Sequence, residues 1–100
     1  MVQVAPSLLS ADYLNLEREV ATLQGCDYLH IDVMDGDFVP NITFGPGLVK
    51  SLSRLGILQD VHLMISQPSR HVDAFIAAGA DILTVHAEAE IHLHRLLAHI

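Results

Sequence analysis

Cysteine is almost absent. Cys26 stands alone in 100 residues, so neither an intrachain disulfide nor a thiolate metal cluster can form, which fits a reducing compartment. Cations are nearly as scarce: Arg18, Lys50, Arg54, Arg70 and Arg95 are the full set, they do not cluster, and the formal net charge is -7. Neutralising phosphates takes Lys and Arg, so neither nucleic acid nor an anionic membrane is an expected partner. Long apolar runs are missing too. No stretch approaches the ~20 residues of a membrane span, and the start, Met1-Val2-Gln3-Val4-Ala5-Pro6, has no basic region followed by an apolar run of the kind that directs secretion. A soluble cytoplasmic protein is the expectation.

What is present is enough apolar side chain, 51% of the sequence, for one small domain over residues 1–100. The pattern alternates strand-like and helix-like segments. Residues 2–9 form a short apolar run read as a strand, although Pro6 removes one ladder hydrogen bond. Ser10-Ala11-Asp12 offers capping side chains, and Tyr13, Leu16, Val20 and Leu23 follow at helical spacing until Gly25. Residues 28–33 read as a strand and 34–46 as a long loop dense in turn formers. A short helix over 47–55 and a strand over 58–65 come next. Pro68 opens another helix with Val72, Phe75 and Ile76 as its buried stripe and Gly79 as its stop. A strand over 82–86 and a helix over 91–100 complete four β/α units, which implies parallel strands. Gln24-Gly25-Cys26-Asp27-Tyr28-Leu29 and Ala78-Gly79-Ala80-Asp81-Ile82-Leu83 echo each other 54 residues apart, the sign of a repeated unit.

The chemistry concentrates in two of these strands. In Leu29-His30-Ile31-Asp32-Val33 the imidazole and the carboxylate are two residues apart, and a strand points such residues to one face. Asp60-Val61-His62-Leu63-Met64 supplies a second histidine. Ligands of parallel sheets bind at the carboxyl ends of the strands, near which Ser7, His30, Asp32 and His62 fall. Neighbouring strands lie ~4.8 Å apart, so His30, Asp32 and His62 can share one ion. Their nitrogen and oxygen donors suit zinc, iron, manganese or cobalt better than calcium. A single strand histidine is more often a satisfied core residue, and it is the convergence of three groups that favours a metal. His86 reads as a fourth ligand or, the favoured reading, a polar wall or an outer partner of the site, and Met34 and Met64 as core filler or the apolar floor of a pocket. His71, His92, His94 and His99 read as surface residues, and Asp35 and Asp37 as turn and capping residues.

Three stretches then resemble one family. Pro6-Ser7-Leu8-Leu9-Ser10-Ala11-Asp12, the run from Leu29-His30-Ile31-Asp32 through Met34-Asp35-Gly36-Asp37-Phe38-Val39-Pro40-Asn41-Ile42-Thr43-Phe44-Gly45, and Asp60-Val61-His62-Leu63-Met64 are similar to ribulose-phosphate 3-epimerase, in register over essentially the whole chain. The resemblance implies an α/β (β/α)8 TIM barrel of which this chain holds the first four β/α units, its amino-terminal half. It implies metal-dependent epimerisation at C3 of D-ribulose 5-phosphate to D-xylulose 5-phosphate through an enediolate. His30, Asp32 and His62 would be ligands to one divalent metal ion, and Asp32 also one of two acid/base carboxylates. Ser7 and His62 would contact the phosphorylated ketopentose, and Met34 and Met64 would line its pocket. A homo-oligomer is expected. The second acid/base Asp and the phosphate-binding loops belong to later strands of the family, so the 100 residues alone are expected to be inactive. Two alternatives are an epimerase for a related ketose phosphate such as allulose 6-phosphate and a non-catalytic, self-associating half-barrel. Related barrels with Asp-x-Lys-x-x-Asp on a strand fit poorly, because Met34 stands where that Lys would be.

Overall fold

β1 (Tyr28–Met34) and β2 (Leu58–Met64) are built on strict alternation. Leu29, Ile31 and Val33 on β1, and Gln59, Val61 and Leu63 on β2, are buried, while the residues between them are not. This pattern is unusual for parallel strands, which are commonly apolar on both faces, and here it separates a packing face from a polar one. The computed structural model describes all residues, Met1 to Ile100. With β3 (Ile82–Val85) the strands form a parallel three-stranded sheet in the order β1-β2-β3.

Four short helices connect and flank the strands: α1 (Leu16–Ala21), α2 (Pro46–Leu52), α3 (Val72–Ala78) and α4 (Leu93–His99). Their inward residues Val20, Val49, Leu52, Val72, Phe75, Ala78 and Leu96 join Leu29, Ile31, Val33, Val61, Leu63 and Ile65 in one apolar core. Fully burying such a side chain contributes roughly 1.5–3 kcal/mol, so this layer holds the strands in register. No helix is long and apolar enough to cross a membrane.

Three expectations need correction. Residues 2–9 do not form a strand; the segment is held to β1 by an isolated parallel bridge, Ser7 to His30, and by the Tyr28 N–H donating to the Val4 carbonyl. Leu8 N–H donates to the His30 carbonyl and His30 N–H to the Pro6 carbonyl. The donor that would continue the ladder toward Tyr28 belongs to Pro6, which has none. The sheet therefore has three strands, and the first of the four expected units lacks a formal one. Ile76 is exposed, because the buried stripe of α3 runs Val72, Phe75, Ala78 and turns Ile76 outward. Finally, α1 ends at Ala21, ahead of Gly25, and is preceded by a 3-10 turn over Tyr13–Asn15.

The echo between residues 24–29 and 78–83 has a physical basis. Asp27 N–H donates to the Val4 carbonyl, and Val4 N–H donates back to Asp27 Oδ2 at 2.6 Å. Asp81 does the same with Gln59: its N–H reaches the Gln59 carbonyl, and Gln59 N–H returns 2.8 Å to Asp81 Oδ2. Each Asp, one residue ahead of its strand, clamps the start of the neighbouring extended segment.

Candidate metal centre

The polar face of the sheet carries His30, Asp32 and Met34 from β1 and Asp60, His62 and Met64 from β2. The register sets His30 beside Asp60, Asp32 beside His62 and Met34 beside Met64. Ser7 joins by its bridge to His30. Asp32 and His62 each stand two residues before the end of their strand, and His30 lies two residues deeper.

Asp32 is the hub. Its Oδ1 lies 2.9 Å from His30 Nε2 and 3.1 Å from His62 Nδ1. Its Oδ2 accepts from the Ser7 hydroxyl at 3.3 Å. The backbone here is pinned from the following loop: Thr43 Oγ1 donates to the Asp32 carbonyl at 2.6 Å and accepts from Met34 N–H at 3.0 Å. The second nitrogen of each imidazole is also engaged, His30 Nδ1 at 2.9 Å from Asp60 Oδ2 and His62 Nε2 at 2.7 Å from His86 Nε2. His86 stacks on His62 at 4.9 Å between ring centroids, and Phe38 lies 5.1 Å from His86. His86 thus meets His62 through the His62 ring nitrogen that does not face Asp32.

The donor set fits a cation. One ligand atom each from His30, Asp32 and His62 lies within 4.8 Å of the others, and the two contacts to Asp32 Oδ1 are close to the spacing of neighbouring donors around a zinc-sized ion. The side chains are only 27%, 16% and 24% exposed, so they are partly desolvated yet reachable. Burial pulls the His30 imidazole down, but the Asp60 hydrogen bond and the Asp32 charge outweigh it and hold His30 above the ordinary histidine range.

The loop after β1 belongs to the same end of the sheet. Asp35 is a turn residue, its Oδ1 accepting from the Asp37 and Phe38 N–H groups. It also reaches across the fold, for Ser66 N–H donates to its Oδ2 at 2.8 Å and the Ser66 hydroxyl to Asp37 at 2.6 Å. The slight burial of Asp35 works against its charged form, yet these backbone donors prevail and lower its pKa. His71, His92, His94 and His99 are exposed. The largest cavity, lined by Val20, Leu23, Cys26, Leu55 and Ile57 among others, contains none of the cluster residues.

Sequence reasoning passed over Asp60 and Thr43. Asp60 had a signal: Asp60-x-His62 on β2 mirrors His30-x-Asp32 on β1, so it shares the polar face. Thr43 had none, because its contact depends on how the 34–46 loop folds back, bridging Asp35 to Ile42.

Parallel β/α units with a His/Asp/His cluster across two adjacent strands define an α/β protein with a candidate divalent-cation centre. Within that class, this chain belongs to the ribulose-phosphate 3-epimerase family, a family of TIM barrels. The model described as "Ribulose-phosphate 3 epimerase family" matches residues 3–100. The chain is similar to the ribulose-phosphate 3-epimerase of Bacillus subtilis (strain 168), with 55% identity over 97% of this chain and 46% of the relative. It is also similar to the ribulose-phosphate 3-epimerase of Rhodobacter capsulatus, at 50% identity over 96% and 43%. The chloroplastic ribulose-5-phosphate-3-epimerase of Arabidopsis thaliana is 53% identical over 92% and 34%. The chain thus spans less than half the length of each of these relatives.

Proposed function

We propose that these residues supply the amino-terminal half of a ribulose-phosphate 3-epimerase centre, which interconverts D-ribulose 5-phosphate and D-xylulose 5-phosphate. The observation that carries this reading is the position of the Asp32 carboxylate, with Oδ1 against His30 Nε2 and His62 Nδ1 and Oδ2 against Ser7, in a chain of this family.

Asp32 is the acid/base on one face of the sugar. It takes the proton from C3; the C3–H electron pair forms the C2=C3 double bond, and the C2 carbonyl oxygen gains the charge, giving an enediolate. Return of a proton to C3 from the opposite face completes the inversion, and by family resemblance that proton comes from a second Asp on the seventh barrel strand. His30, Asp32 and His62 would hold a divalent cation, which would supply positive charge where the enediolate oxygens develop negative charge. Ser7 holds the free oxygen of Asp32 in place and, with His62, contacts the substrate. Met34 and Met64, side by side in the register, give the reacting carbons an apolar floor that keeps water from quenching the carbanionic carbon.

The test is a chimera in which residues 1–100 replace the matching segment of the Bacillus subtilis relative. It is expected to epimerise ribulose 5-phosphate and to wash solvent deuterium into C3, with allulose 6-phosphate assayed in parallel. Asp32→Asn is expected to lower both rates by about 10²–10⁴-fold, the usual contribution of a positioned acid/base. Undiminished deuterium exchange in that variant would refute the role of Asp32. The 100-residue polypeptide alone is expected to give no turnover, and measurable activity would overturn the need for a second carboxylate from elsewhere.

A further inference from the structure

We propose that Asp60 is a positioning residue that orients the His30 ring, so that Nε2 and not Nδ1 faces the cation shared with Asp32 and His62. The inference rests on the metal-centre reading above and adds to it a residue that touches neither cation nor substrate.

The geometry assigns the roles by direction. His30 and Asp60 are paired in the β1–β2 register, and Asp60 Oδ2 meets Nδ1 at 2.9 Å. The opposite ring nitrogen, Nε2, meets Asp32 Oδ1 at 2.9 Å. An ionised carboxylate only accepts hydrogen bonds, so in the metal-free chain Asp60 at Nδ1 and Asp32 at Nε2 both draw a ring proton, and once a cation takes the Nε2 lone pair the Asp60 contact holds the proton of neutral His30 on Nδ1. Asp60 is 22% exposed and His30 27%, so water competes weakly for this contact and the preference is strengthened. The contact also fixes ring rotation, because β2 holds Asp60 rigidly beside the ring. A carboxylate behind a ligating imidazole sets its tautomer and orientation and raises its basicity, and losing such a partner typically lowers metal affinity 10–100-fold.

The tautomer can be read without any metal. Long-range proton–nitrogen spectra of the metal-free, ¹⁵N-histidine-labelled chain, recorded at a pH where the ring is neutral, are expected to show the His30 proton divided between Nδ1, toward Asp60, and Nε2, toward Asp32. In Asp60→Ala the proton is expected to move to Nε2, the form free histidine prefers. Zinc titration is expected to show a 10–100-fold weaker affinity in Asp60→Ala and substantial recovery in Asp60→Glu. Should Asp60→Ala fail to fold by circular dichroism, Asp60→Asn keeps the shape without the charge and is expected to weaken zinc binding in the same direction. An unchanged tautomer in folded Asp60→Ala overturns the proposal, as does unchanged zinc affinity in whichever variant folds. A wild-type chain that binds no zinc defeats the metal-centre reading and the cation half of this one, while the tautomer result separately decides whether Asp60 orients His30.

Discussion

His30 and His62 each turn one nitrogen toward the same carboxylate oxygen, so a proton and a metal ion compete for the same lone pairs. Metal binding requires neutral imidazoles. The neighbours that hold His30 above the ordinary range therefore make this competition felt at higher pH than for a free histidine. Zinc affinity is expected to fall as pH drops through and below the His30 range, by about tenfold per unit for each proton displaced, as calorimetric titration would show. His62→Ala removes one of three ligands and is expected to weaken zinc by at least the roughly 10-fold seen for outer-sphere partners. Equal affinity in wild type and variant would remove His62 from the ligand set. Asp35 works with the opposite sign. Its folded pKa is lowered, so its contribution to stability is present above the ordinary aspartate range and is lost as pH falls through the lowered value. Urea denaturation below pH 4 should show this loss in the wild type and not in Asp35→Asn; parallel pH profiles would deny Asp35 the role.

At the scale of the element, the reciprocal Asp clamps explain why the strands begin where they do. Asp27 ties its strand to Val4, and Asp81 ties β3 to Gln59 of β2. Removing either carboxylate leaves a backbone N–H of the neighbouring extended segment, Val4 or Gln59, without its charged acceptor, and Asp27→Ala or Asp81→Ala is expected to lower unfolding free energy by about 1–2 kcal/mol. Urea midpoints within error of wild type would show the clamps to be incidental. The loop after β1 depends on Gly36. Its φ of +76° lies in the left-handed region, and a Cβ there would come 2.8 Å from Ile42 Cγ1. Gly36→Ala therefore combines backbone strain with a clash and is expected to cost about 1–3 kcal/mol and to loosen the Asp35–Ile42 bridge, Thr43 and with them the Asp32 backbone.

For the whole molecule, the helices cover one sheet face and leave the other, with the cluster, partly open to solvent. A ligand that binds only the folded state stabilises it by mass action, by about 2.7 kcal/mol at a hundredfold excess over Kd. For a chain of 100 residues that corresponds to a rise of roughly 10–20 °C in melting temperature. Adding zinc to the metal-free chain should produce a shift of this order and a chelator should reverse it. An unchanged melting curve in the wild type would argue against a metal centre spanning both strands.

Alternation in Leu29-His30-Ile31-Asp32-Val33 and in Val61-His62-Leu63 determined, from sequence alone, both the strands and the face their polar residues share, because a strand has a period of two whatever surrounds it. The turn chemistry of residues 34–46 and the repeat of Gly-x-Asp before a strand were legible for the same local reason. The tertiary structure decided what depends on register and on the path of distant segments. The pairing of His30 with Asp60, the Thr43 contact to the Asp32 carbonyl, and the reduction of residues 2–9 to an isolated bridge all require knowing which backbone groups meet across the fold. Periodicity says which way a side chain points, but only the packed sheet says what it meets.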